Sequence, residues 1–191
     1  MRLFVAVYPS PEAVAHLDAA LDPVRGDWPG LRWVPAEQWH LTLAFLGEVA
    51  ERLVEPLVER LGRAAARAGP MRLSLGGFGA FPSGRRARVC WMGVDGAVAP
   101  LRDLATRVGA AARHTGIEVD TKPYRPHLTV ARPRRPPLDV GSLVKPWSAY
   151  RGPAWVAGEV SLVRSHLGAH VRHEKLAGLR FPQPASDDTS T

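Results

Sequence analysis

Residues 40–44 read HLTLA and residues 127–131 read HLTVA, so one five-residue phrase occurs twice, with Leu43 and Val130 as the only difference. Both copies are apolar enough to be strands, and in a strand successive side chains face opposite ways. Strict alternation puts His40, Thr42 and Ala44 on one face and Leu41, Leu43 and Phe45 on the other. In the second copy His127, Thr129 and Ala131 oppose Leu128 and Val130. The Leu-rich faces predict core, and the His–Thr–Ala faces predict a floor with open space above it. A lone strand His is most often a hydrogen-bonded core or edge residue, and a lone strand Thr reflects β-propensity. The repetition outweighs both readings, because it implies one half-site built twice.

The surrounding pattern doubles as well. Leu3–Val7 reads as a buried strand, and Ser10 as the N-cap of a helix over 11–22 with Pro11 at its first position. Short strands at Leu31–Val34 and Leu41–Leu46 follow, then a helix over 50–68 that tolerates Pro56 in its first turn. Met71–Ala80 and Arg88–Val94 read as paired strands, joined by a turn carrying Arg85, Arg86 and Arg88. A helix over Val98–His114 precedes strands at Ile117–Val119, Leu128–Ala131, Trp155–Val163 and His170–Leu176. Strands and helices mix without strict βαβ alternation. That predicts an α+β fold of mostly antiparallel sheets with helices packed outside.

The 191 residues suffice for one packed domain, expected over 1–181, and the polar end 182–191 reads as a flexible tail. The single Cys90 excludes an internal disulfide and fits a reducing, cytoplasmic setting; its apolar neighbours predict a buried strand thiol. The opening MRLFVAVYP is too short for a signal core, and no apolar run approaches a membrane span. An excess of 25 Lys and Arg over 18 Asp and Glu favours a polyanionic partner.

Two imidazoles from two mirrored half-sites would flank one atom in a shared cleft. One can accept a proton from an attacking water while the other gives a proton to a leaving oxygen. Two Thr hydroxyls can donate to non-bridging oxygens. A reacting centre that uses an acid, a base and two symmetric donors is a phosphodiester. Metal chemistry is not called for: there is no HExxH motif or Cys cluster, and His166, His170 and His173 read as strand and turn residues. Gly-rich SLGGFGAF lacks the lysine of a phosphate loop. Arg125 and Arg132 flank the second motif and Arg86 lies in the basic turn, so these are candidate substrate-binding cations. Strict alternation turns Arg132 away from His127 unless the strand ends or bulges there. Tyr124, Trp33 and Trp39 are candidates to stack on a base, with packing as the competing role.

WHLTLAFLG and YRPHLTVAR resemble the paired HxTx signatures of the two-histidine phosphoesterases. RLFVAVYP, FPSGRRARVCWMGV and VSLVRSHLG resemble in particular the bacterial and archaeal RNA 2′,3′-cyclic phosphodiesterases, also called LigT-like proteins or 2′-5′ RNA ligases. The resemblance runs over most of residues 1–181. It implies a bilobal fold with a central cleft, and metal- and cofactor-free hydrolysis of a terminal 2′,3′-cyclic phosphate to a 2′-phosphate. Some relatives also join RNA ends through a 2′-5′ bond. The resemblance assigns His40 as proton donor and His127 as proton acceptor, which the symmetry of the motifs alone does not. Relatives carry a Tyr near the end of the last strand pair, where this chain has His173. The expected partner is RNA with cyclic phosphate ends, handled by a monomer without a membrane. Two other readings stand beside this one: a non-catalytic RNA- or nucleotide-binding module on the same scaffold, and a phosphodiesterase for small cyclic nucleotides.

Overall fold

A computed structural model describes residues 1–168 and 171–183. The chain runs β1 (Arg2–Val7), α1 (Pro11–Arg25), β2 (Leu31–Trp33), β3 (Leu41–Glu48), α2 (Val54–Ala65), β4 (Met71–Phe81), β5 (Val89–Gly96), α3 (Val98–His114), β6 (His127–Pro133), α4 (Gly141–Trp147), β7 (Trp155–Ala157), β8 (Glu159–His166) and β9 (Arg172–Arg180). The helix starts obey local chemistry. Ser10 accepts the Ala13 amide at 3.2 Å, and Pro11 opens α1, where a missing N–H costs nothing.

Among the described residues, nine strands form one curled sheet in the order β7-β4-β5-β6-β3-β1-β8-β9, with β2 added against β6. Every pairing is antiparallel. The two halves meet at β3 and β6 through a single paired position, Leu41 opposite Leu128. The α+β, two-halved architecture expected from the repeat is therefore present. The halves of the sheet are not the halves of the chain, however: β8 and β9 join β1, and β2 crosses to β6.

The helices cover one face, and that face holds the main core. Leu3, Val5, Val7 and Leu41 of the sheet pack there with Leu17, Leu21, Leu57, Leu61, Leu101 and Leu104, all 2% exposed or less. Each such side chain contributes roughly 1.5–3 kcal/mol on burial. The opposite residues of β1, Phe4 and Ala6, face the concave side and pack with Val163 and Tyr8.

Several expected elements are altered. α1 continues through Pro23, whose missing N–H falls in the last turn. Ile117–Val119 is not a strand; Ile117 is buried, and the segment to Pro126 is an irregular connection. Gly141–Trp147, a segment to which the sequence assigned no element, is the short helix α4. The single strand expected over Trp155–Val163 breaks at Gly158, whose carbonyl accepts the Phe181 amide at 2.8 Å. β7 then pairs with β4 and β8 with β1, so the chain changes halves at that glycine. The last strand begins at Arg172; His170 and tail residues 184–191 lie outside the described residues.

Candidate active site

Continuing the antiparallel register one position either side of Leu41 and Leu128 sets His40 across from Thr129, and Thr42 across from His127. The two motifs are thus related by a local twofold about the Leu41–Leu128 pair. All four side chains line one cleft of about 530 Å³ on the concave face.

The duplication extends to a defect in both strands. On β1, Ala6 pairs with Thr42 but Val5 pairs with Ala44, so Leu43 is an extra residue. On β5, Trp91 pairs with Thr129 but Cys90 pairs with Ala131, so Val130 is extra. A bulge of this kind breaks the alternation and re-aims the side chains beyond it. Ala44 and Ala131 turn to the core side instead of forming the floor, contrary to strict alternation. Phe45, expected in the core, is 64% exposed and lines the cleft. Arg132 takes the same place in the second copy and also lines the cleft, the condition under which the sequence allowed it a role.

Both imidazoles are tethered alike. His40 Nδ1 lies 2.6 Å from the Gln38 carbonyl and His127 Nδ1 lies 2.7 Å from the Arg125 carbonyl. A carbonyl only accepts, so each Nδ1 carries the proton, and each Nε2 is the nitrogen free to exchange one. Gln38 also donates its side-chain amide to the Val171 carbonyl at 2.9 Å, fastening the β8–β9 hairpin beside the site.

His40 stacks on Phe4 at 4.7 Å and meets His173 edge-on at 5.2 Å. Burial, with smaller contributions from the positive charge His173 and His127 can carry, pushes the His40 imidazole down to about 4. The edge of His127 meets the ring of Phe81 at 5.0 Å. Burial, then the Arg125 and Arg132 guanidinium groups, hold His127 below its ordinary value. Permanent cations therefore act on His127, whereas the charges that act on His40 belong to groups that are themselves neutral at neutral pH. Arg132 stands opposite Arg32 across the β2–β6 pair, and among the described residues neither has a carboxylate within ion-pair reach. Like charges placed so are destabilising unless an anion joins them.

The remaining expectations divide. Arg125 lies beyond His127, its guanidinium 4.8 Å from the centre of the Phe81 ring, in an adjoining hollow. Tyr124 lines that hollow but is largely packed against the core; its hydroxyl is buried without a partner, and burial raises its pKa. Arg86 sits in the exposed turn Gly84–Arg86 and lines neither space. Trp39 is core, 1% exposed, with its indole N–H donated to the Val34 carbonyl at 3.0 Å. Trp33 packs against the same core. Cys90 is fully buried, and burial pushes its thiol up to about 11. His166 bonds to the Glu174 carboxylate at 2.6 Å, away from His173. Sequence reasoning missed Phe4, Phe45, Phe81 and Gln38; Gln38 and Phe45 flank the first motif, which was the available signal, whereas Phe4 and Phe81 lie away from both motifs in sequence.

Residues 7–91 and 93–173 match the family model for LigT-like phosphoesterases. The chain belongs to that family. Among curated LigT-like relatives, the RNA 2′,3′-cyclic phosphodiesterase of Archaeoglobus fulgidus is 35% identical over 78% of this chain and 82% of its own length. The Thermus thermophilus protein of the same name is 33% identical over 87% of this chain and 83% of its own. The Geobacillus stearothermophilus relative is 35% identical, but the match spans only 41% of its length. The LigT-like fold recurs in the crystal structure of a Thermus thermophilus protein, with a TM-score of 0.78 and 32% identity over 95% of this chain and 99% of that one. E. coli LigT complexed with 3′-AMP gives a TM-score of 0.75 at 25% identity, covering 95% and 98%.

Proposed function

We propose that this LigT-like phosphoesterase hydrolyses the 2′,3′-cyclic phosphate at RNA 3′ ends, leaving a 2′-phosphate. The observation that carries the reading is the convergence of His40, Thr42, His127 and Thr129 on one cleft about the Leu41–Leu128 pair, with both Nε2 atoms free. His127 Nε2 takes a proton from water as the oxygen forms its bond to phosphorus. The bond from phosphorus to O3′ breaks on the opposite side, and His40 Nε2–H gives its proton to that oxygen. Thr42 and Thr129 donate to the non-bridging oxygens, and Arg132 offsets their charge.

The assignment of His127 as base follows the family resemblance; the cations beside it favour its neutral form, while burial depresses His40 as well, to about 4. His40 has no such cation, and a bound phosphodiester anion would restore its proton. The two imidazoles supply acid and base between them, so no step calls for a metal. Both half-sites come from one chain, which supports a monomer with residues 1–181 as the working unit. The buried lone thiol and an RNA substrate fit the cytoplasm.

The test is turnover of an oligonucleotide ending in a 2′,3′-cyclic phosphate, with and without chelator. The expected product keeps phosphate on the 2′ hydroxyl and forms at the same rate in both. His40→Ala and His127→Ala should each lose several orders of magnitude of rate with the fold intact. Turnover persisting in the double variant would refute the mechanism, and nucleotide binding without any wild-type turnover would favour the binding-module reading.

A further inference from the structure

A second hollow of about 880 Å³ adjoins the cleft, and the two share Thr42, Phe45, Phe81 and His127 as a common threshold. We propose that this second hollow is the track for the RNA strand on the 5′ side of the cyclic end. The inference rests on the phosphodiesterase reading above and adds to it a path for the polymer.

The hollow is larger than the catalytic cleft, and nothing in the hydrolysis of one terminal phosphate uses it. One wall is α3, which presents Thr106, Gly109 and Arg113 there; the small side chains keep that wall low. The facing wall is the irregular connection before β6, with Lys122 and Arg125. Arg113, Lys122 and Arg125 thus line one hollow, against the single carboxylate of Asp120, which lies 3.4 Å from Lys122 Nζ. An excess of cations along a groove suits a chain with one phosphate per nucleotide.

The threshold itself is aromatic. Phe45 is 64% exposed, a cost that folding does not explain, and the bulge in β3 turns it outward. Phe81 carries the Arg125 guanidinium over its ring at 4.8 Å. A base of a single strand stacks on an exposed ring such as Phe45, set beside a phosphate-binding cation such as the Arg125 that Phe81 holds. With the terminal phosphate between His40 and His127, the next nucleotide meets the exposed Phe45 ring and then the basic hollow.

Two substrates separate the track from the catalytic site: a 2′,3′-cyclic mononucleotide, too short to reach Arg113, and a tetranucleotide with the same cyclic end. Two variants act on the hollow alone. Arg113→Glu reverses a charge, and Thr106→Trp plugs the space from an exposed helix position. Each is expected to raise KM for the tetranucleotide about 10-fold while leaving mononucleotide kcat/KM unchanged. Arg113→Glu should also reduce the salt dependence of tetranucleotide kcat/KM, by roughly 0.7 in the log–log slope for each phosphate no longer neutralised. Equal effects on both substrates, or on neither, overturn the track while leaving the phosphodiesterase reading intact. A wild-type protein that turns over neither substrate defeats that reading and the track with it.

Discussion

Arg132 and Phe45 occupy one position in the two copies of the motif. Each lies just past a bulge, and each side chain is turned onto the concave face by it. The twofold that makes the imidazoles equivalent is therefore broken three residues after each Thr, with a cation on the His127 side and an aromatic ring on the His40 side. That asymmetry places the two imidazoles in unequal electrostatic surroundings.

Arg132→Gln should lower kcat/KM by about 10²-fold, the loss typical of one donor to a developing oxyanion. The same substitution removes a cation that holds His127 low, so the acid limb of the pH–rate profile should move to higher pH. Steady-state kinetics across the acid and neutral range check both; a rate loss without movement of the limb would mean that Arg132 binds phosphate but does not tune the base.

His40 makes acid stability a property of the site. Its folded value, about 4, lies below the ordinary 6.5, so the unfolded chain takes up the proton first. The neutral imidazole's contribution is complete above pH 6.5 and is lost as pH falls to about 4. In that window it amounts to roughly 3 kcal/mol at most. Urea midpoints measured above and within that window should differ by less in His40→Gln than in the wild type, because the variant has no imidazole to charge. Equal differences would show that His40 is not desolvated as the packing against Phe4 implies.

The first three residues of each motif were legible from the repeat, because alternation holds through His–Leu–Thr. It fails after Thr42 and Thr129, where the partner strand is one residue short of the motif strand. That shortfall belongs to the pairing of β3 with β1 and of β6 with β5, and neither strand carries it alone. Trp155–Val163 reads as one strand for the same reason: Gly158 permits a change of partner, but the competing partners, β4 and β1, lie far away in sequence. Arg86 and Arg132 look equally suitable as basic residues near a turn or motif; only the fold separates them, by setting one in an exposed turn and the other beside Thr129.

His173 stands where the resemblance expects Tyr, and its Nδ1 is buried without a partner, edge-on to His40. A protonated His173 opposes a proton on His40. His173→Tyr removes that charge, so His40 should titrate at higher pH, and the rate optimum with cyclic mononucleotide should broaden toward neutrality. Imidazole NMR titrations of the wild type and the variant read this directly; an unmoved His40 would leave its depression to burial alone.

The seam can be tested apart from the chemistry. Leu41 and Leu128 form the one paired position between the halves, and both are completely buried beneath the His–Thr face. Leu128→Ala should cost about 2–5 kcal/mol through the cavity it leaves. Leu57 in α2, equally buried but remote from the seam, should cost a similar amount as Leu57→Ala. Their activities should differ, because only the seam sets the spacing of the two imidazoles, and a misplacement of about 1 Å can cost 10²-fold in rate. At a temperature where both variants are fully folded by circular dichroism, Leu57→Ala should keep wild-type kcat and Leu128→Ala should fall by about that factor. Equal kcat in the two would mean that the spacing is held by the strands on either side, β1 and β5, and not by the seam.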